Sequence, residues 1–188
     1  MKNISIMIVG VGGQGTLLAS RLLGAAVLSQ GYDVKVSEVH GMSQRGGSVV
    51  TYVKYGEAIH SPIVDMGEAD VILAFECLEA ARWLPYLKPG GKMIVNDQRI
   101  DPMPVITGAA QYPEGILEAL AAYDVQAIDA LALAQEAGSA RAVNVVLLGA
   151  LARQLGIPVD TWQEAIRTEV KPQFVEMNLK AFALGWEA

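Results

Sequence analysis

The chain has 188 residues, a single cysteine and a formal net charge of −6. That length supports one substantial core and is short for two, so residues 1–188 read as a single domain. No run of lysines or arginines occurs, so the electrostatic footprint of a nucleic-acid binder is missing. Cys77 alone also excludes an internal disulfide and any iron–sulfur cluster or thiolate zinc site built by this chain alone.

Hydrophobic residues make up 52% and charged residues 18%, which is apolar for a water-soluble domain. A sheet covered on both faces would use that surplus, and so would a surface that a partner subunit covers. Met1 to Gly10 has no small-residue cleavage site and runs straight into glycines, so it reads as a strand rather than a signal peptide. The apolar stretch Ala142 to Leu155 is shorter than the ~20 residues that span a bilayer and is interrupted by Arg153. The expectation is a cytoplasmic protein with no membrane segment.

In chain order, Ile4 to Val9 is a β-rich apolar run ending in glycine, the pattern of a buried parallel strand. Gln14 to Gln30 follows as a helix with a mostly apolar face, stopped by Gly31. Tyr32 to Val39 is a second strand, and residues 40–47 form a polar, glycine-bearing loop. Ser48 to Tyr55, rich in Val, Thr and Tyr, is strand again, and Ala58 to Ser61 returns antiparallel after a turn at Gly56 and Glu57.

Asp70 to Phe75 is a core strand, Glu76 to Leu84 a helix, and Lys92 to Asn96 the strand after a Pro89-Gly90-Gly91 turn. Asp101 to Pro104 is a connector, Pro113 to Tyr123 a helix, and Asp124 to Ile128 a last strand. The remainder is helical: Ala130 to Ala137, Ala140 to Leu155, Thr161 to Val170 and Pro172 to Trp186. Asp160 is the expected N-cap of the third of these, with Gln163 completing a capping box. The alternation gives an α/β, Rossmann-like, mostly parallel sheet with helices on both faces and a helical C-terminal segment.

Two loops carry chemistry. Gly10-Val11-Gly12-Gly13-Gln14-Gly15 satisfies G-x-G-x-x-G between a strand and a helix. Gly10 permits the tight turn, Gly12 lets a ligand approach the backbone, and Gly15 lets the helix pack on the strand. The helix N-terminus then offers free N–H groups to an anion. Glu38, at the end of the second strand, stands where a dinucleotide site wants its ribose-binding acid. Against a dinucleotide, Gly13 and Gln14 put a glycine and an amide where apolar residues are common. The same glycines could equally serve only the crossover.

The second loop, Glu38-Val39-His40-Gly41-Met42-Ser43-Gln44-Arg45-Gly46-Gly47-Ser48, follows a strand and belongs on the same carboxyl edge of the sheet. It holds an imidazole, a permanent cation, amide and hydroxyl groups, and Arg45 is its strong anion partner. His40 and Ser43 lack an acidic partner, so no nucleophile–base–orienter set is present. No residue is assigned as catalytic or as a metal ligand. Glu76 and Asn96 fall at strand carboxyl ends, where they could line the same crevice but read first as helix cap or turn residues, and Asn144 reads as a satisfied interior amide or an interface contact.

The two loops together, spaced about two dozen residues apart, resemble the gamma subunit or domain of the 2-oxoacid:ferredoxin oxidoreductases. The His40-Gly41-Met42-Ser43-Gln44-Arg45-Gly46-Gly47 form is most similar to the indolepyruvate branch. The stretches Ser61-Pro62-Ile63, Ala69-Asp70 and Asn144 to Ala150 fit as well. The resemblance implies oxidative decarboxylation of an aryl-pyruvate with coenzyme A, giving acyl-CoA, carbon dioxide and reduced ferredoxin.

Thiamine diphosphate, Mg2+ and 4Fe–4S clusters would then reside on a large alpha-type partner subunit. This chain has neither the cysteines for a cluster nor a Gly-Asp-Gly motif for the thiamine cofactor. Coenzyme A would be a ligand shared between the subunits, and isolated chains would pair as a homodimer. The alternative is an independent NAD(P)- or nucleotide-binding Rossmann oxidoreductase or sensing module.

Overall fold

The computed structural model describes residues 3–38 and 45–188. Six strands form one sheet in the order β2-β3-β1-β4-β5-β6. They are β1 (Ile4–Val11), β2 (Asp33–Glu38), β3 (Ser48–Gly56), β4 (Ala69–Ala74), β5 (Leu87–Asn96) and β6 (Asp124–Ile128). β1, β4, β5 and β6 pair in parallel, while β3 runs antiparallel to both β1 and β2. The sheet is therefore mostly parallel, with one reversed strand wedged between β1 and β2.

Period-two alternation sorts the strand residues into two cores. Ile6, Ile8, Val71, Leu73 and Ile94 point to one face, while Met7, Val9, Ile72, Ala74, Met93 and Val95 point to the other. The first face is thick, covered by α1 (Thr16–Ser29), α5 (Ala130–Ala137), α6 (Val143–Gln154), α7 (Val159–Glu169) and α8 (Val175–Glu187). The second is thin, covered by α2 (Cys77–Trp83), the loop residue Val64 and the short α4 (Ile116–Leu120).

The apolar stretch near residue 150 has no polar side because it has no solvent side: every residue from Asn144 to Ala152 is buried. α8 closes over it at near backbone contact. A methyl on Gly149 would strike the Phe182 carbonyl oxygen, and one on Gly185 would strike that of Val146. Glycine at these two positions sets the α6–α8 spacing.

Four local expectations are corrected. Ala58 to Ser61 does not return as a strand, because the Asp33 carboxylate accepts the Ile59 N–H at 2.8 Å and holds the segment out of the ladder. The connector near Asp101 contains a one-turn helix, α3 (Met103–Ile106), entered through Pro102 and Pro104. The helix expected from Pro113 shrinks to α4, since Gly115 in the left-handed conformation marks its start. α7 begins at Val159 with Pro158 as N-cap, so Asp160 lies inside the first turn and no capping box forms.

Candidate functional site

β1, β4 and β5 run parallel, so the chain leaves all three on one edge of the sheet. β3 runs the other way and therefore starts at that edge. Val11 lies opposite Ser48 in register, and the Gly12 N–H donates to the Gly47 carbonyl at 2.9 Å. The structure thus puts the loop of Gly10, Gly12, Gly13, Gln14 and Gly15 on the same edge as Arg45, Gly46 and Gly47, with the contact made at Gly12 and Gly47. His40, Ser43 and Gln44 lie outside the described residues.

The glycine loop is stitched from within. A methyl on Gly10 would sit 2.8 Å from Gln14 Oε1 and 2.9 Å from Phe75 Cβ, so the chain turns there only without a side chain. Gln14 Oε1 accepts the Val11 N–H at 2.7 Å, and its Nε2 donates to the Phe75 carbonyl at 2.9 Å and to Gln98 Oε1 at 3.4 Å. One amide side chain therefore ties the ends of β1 and β4 to the segment after β5. At the other end of the loop Gly15 has φ +83°, and its carbonyl accepts from Asn144 Nδ2 at 3.1 Å.

Other donors stay open. The amides of Gly13, Gly15, Thr16 and Leu17 have no partner among the described residues. They border a cavity of about 310 Å³ closed by Glu38 and by Val49 to Thr51 of β3. Unpaired amides at the start of a 14-residue helix are an anion-competent set. Glu38 shares that cavity, yet it departs from a dinucleotide arrangement. β3 stands between β1 and β2, and the Glu38 carboxylate is already held by the Ser20 hydroxyl at 2.8 Å.

On the other side of the loop, Arg45 lines a cavity of about 290 Å³ with Val11, Gly46, Gly47 and the α2 residues Glu79 and Arg82. Arg45 is exposed and has no ion pair or side-chain hydrogen bond among the described residues. The acids nearby are already engaged. Glu79 accepts from Ser48, from Arg82 at 3.0 Å and from Trp83 at 3.2 Å.

Glu76, 1% exposed, caps α2 through the Glu79 N–H at 2.9 Å and accepts from the Ile100 N–H at 3.1 Å and the Tyr112 hydroxyl at 2.5 Å. Burial, and then the Glu76 carboxylate, push the Tyr112 phenol well above its ordinary range. Asn96, fully buried, donates to Phe75 and Gln98 and accepts from the Ala130 N–H at 3.2 Å. Gln98 and Tyr112 carry no signal in the sequence, because the contacts that place them at the site, Gln98 with Gln14 and Tyr112 with Glu76, span 84 and 36 positions.

A profile of the pyruvate ferredoxin/flavodoxin oxidoreductase family matches residues 5–188. The indolepyruvate oxidoreductase subunit IorB of Thermococcus kodakarensis is 47% identical, over 100% of this chain and 96% of its own length. Among solved structures, the keto/oxoacid ferredoxin oxidoreductase gamma subunit of Geobacter sulfurreducens superposes with a TM-score of 0.73 at 25% identity, covering 98% of this chain and 96% of that one. The 2-oxoglutarate:ferredoxin oxidoreductase of Magnetococcus marinus superposes at 0.75 and 23% identity, where the whole of this chain matches 31% of a longer one. That last likeness shows the same fold inside a larger polypeptide.

Proposed function

The chain belongs to the pyruvate ferredoxin/flavodoxin oxidoreductase family, and from that premise we propose that it is the small, gamma-type subunit of a 2-oxoacid:ferredoxin oxidoreductase acting on aryl-pyruvates such as indolepyruvate. The substrate class is supported by the full-length 47% identity to a protein named for indolepyruvate. In this reading a larger alpha-type subunit holds thiamine diphosphate, Mg2+ and 4Fe–4S clusters and hands electrons to ferredoxin in the cytoplasm. Thiamine diphosphate supplies the carbanion chemistry there.

The role left to this chain is positioning. Its carboxyl edge meets the partner, where the amides of Gly13, Gly15, Thr16 and Leu17 and the guanidinium of Arg45 receive anionic groups of coenzyme A. The observation that carries this is that one sheet edge holds both a glycine loop fixed by Gln14, whose amides at the start of α1 have no partner among the described residues, and an arginine with no partner among them.

The test is an Arg45→Ala variant purified as the assembled complex, assayed by 2-oxoacid-dependent viologen reduction. The expected result is an intact complex whose KM for coenzyme A rises about tenfold, as for one lost charge-assisted contact, with the KM for the 2-oxoacid little changed. Unchanged coenzyme A kinetics in an intact complex would reject the assignment of that ligand to this edge. Purification of the native chain without any iron–sulfur subunit would reject the subunit reading itself.

A further inference from the structure

A second concave site lies on the thick helical layer, beyond Asn144 from the glycine loop. It is a cavity of about 440 Å³, within the usual range of about 300–1,000 Å³ for small-molecule pockets. Its apolar lining is Leu18, Val170, Phe174 and Met177, and Arg141 and Lys171 border it. Phe174 is 45% exposed, unusual for a phenylalanine beside a concave surface.

Three features favour an organic anion there. Arg141 and Lys171 are both exposed, and neither has an ion pair or side-chain hydrogen bond among the described residues. The one acid in the lining, Glu169, is neutralised by Arg21 at 2.7 Å, so the two cations are not cancelled from within. Leu18, Asn144 and Met177 each stand in the first turn of a helix of twelve residues or more, so three positive helix ends add to the same field.

Asn144 and Asn178, each 6% exposed, also line the cavity. Each spends its amide nitrogen on a backbone carbonyl, Gly15 for Asn144 and Phe174 for Asn178, and keeps its amide oxygen without a partner among the described residues. These oxygens open onto the cavity, where a ligand N–H or O–H would find an acceptor.

We propose that this cavity is a binding site for a small carboxylate with an aromatic or branched apolar body, its carboxylate on Arg141 and Lys171 and its body against Leu18, Met177 and Phe174. The site adjoins the glycine loop through Asn144, which donates to the Gly15 carbonyl at 3.1 Å, and all of its lining comes from this chain.

Calorimetric titration of the full chain tests it with 3-phenylpropionate, with 3-phenylpropanol and inorganic phosphate as comparisons. The carboxylate is expected to bind, and both comparisons to bind at least about tenfold more weakly, since each lacks the charge or the apolar body. The double variant Arg141→Gln, Lys171→Gln alters two exposed side chains and should fold normally by circular dichroism while losing about tenfold or more in affinity. The proposal is overturned if the carboxylate shows no binding, if the double variant binds as well as the parent, or if phosphate binds as tightly as 3-phenylpropionate. Both sites border the start of α1, but Arg45, the residue varied in the coenzyme A test, takes no part here, so the two failures are distinguishable.

Discussion

Two groups of polar residues share the carboxyl edge of the sheet, and they are built to opposite rules. After β4 and β5, Glu76, Asn96, Gln98 and Tyr112 form a lattice in which Glu76 and Asn96 are buried and the carboxylate has three donors. Beside β3, Arg45 is exposed with no partner among the described residues, and the Gly13 backbone faces open space. The difference teaches that a polar residue at a strand's carboxyl end is not thereby a functional one. The buried lattice fixes where the loops start, and the open donors are what remain for a partner or ligand.

The sharpest way to break this comparison is Glu76→Ala. The substitution strands the buried Glu79 amide and the partly buried Tyr112 hydroxyl and Ile100 amide. The expected loss is about 2–4 kcal/mol, the scale for leaving several neutral donors without their charged acceptor. Urea unfolding should show it, and a loss under about 1 kcal/mol would mean the lattice is not structural.

Gln14→Leu probes the junction between the two groups. It removes the bonds to Val11 and Phe75 while keeping comparable volume, so a loss of about 1–3 kcal/mol is expected. The same variant should bind coenzyme A less well in the assembled complex, because the loop amides lose their fixed positions. A destabilised variant with parental coenzyme A kinetics would separate the two roles.

Much of this was legible in the sequence, and the failures have physical causes. The strands of the parallel core announce themselves as continuous apolar runs because both faces are covered. The antiparallel insertion of β3 between β1 and β2 is a question of pairing partner, which alternation within one strand does not encode. The Glu76 cap was readable because it acts three residues away, on the Glu79 N–H. Gln14 was visible only as an oddity in a glycine motif, since its partner Phe75 is 61 positions distant. Asp160 misled because Pro158 supplied the helix entry instead.

A smaller effect separates the buried group by pH. Burial raises the Cys77 thiol from 9.0 to about 11. The folded chain therefore keeps its proton more tightly than the unfolded chain does. The corresponding stability is complete below pH 9 and is lost as pH rises through about 11. Cys77→Ala should flatten the fall in melting temperature that begins near pH 9, leaving the loss that Tyr55, raised from 10.0 to about 12, produces from about pH 10 upward. An unchanged slope would show that the thiol does not titrate in the folded state as its burial requires.

The smallest expected effect on stability belongs to Arg45→Ala, and its smallness is the informative part. An exposed arginine without an ion pair or side-chain hydrogen bond among the described residues removes nothing from the fold, so unfolding should shift by no more than about 0.5 kcal/mol. Set beside the raised KM for coenzyme A expected of the same variant in the complex, that neutrality marks a side chain retained for a ligand rather than for the domain. A loss of about 2 kcal/mol instead would place Arg45 in the structural group with Glu76, and the division of this edge into fixed and open halves would fail.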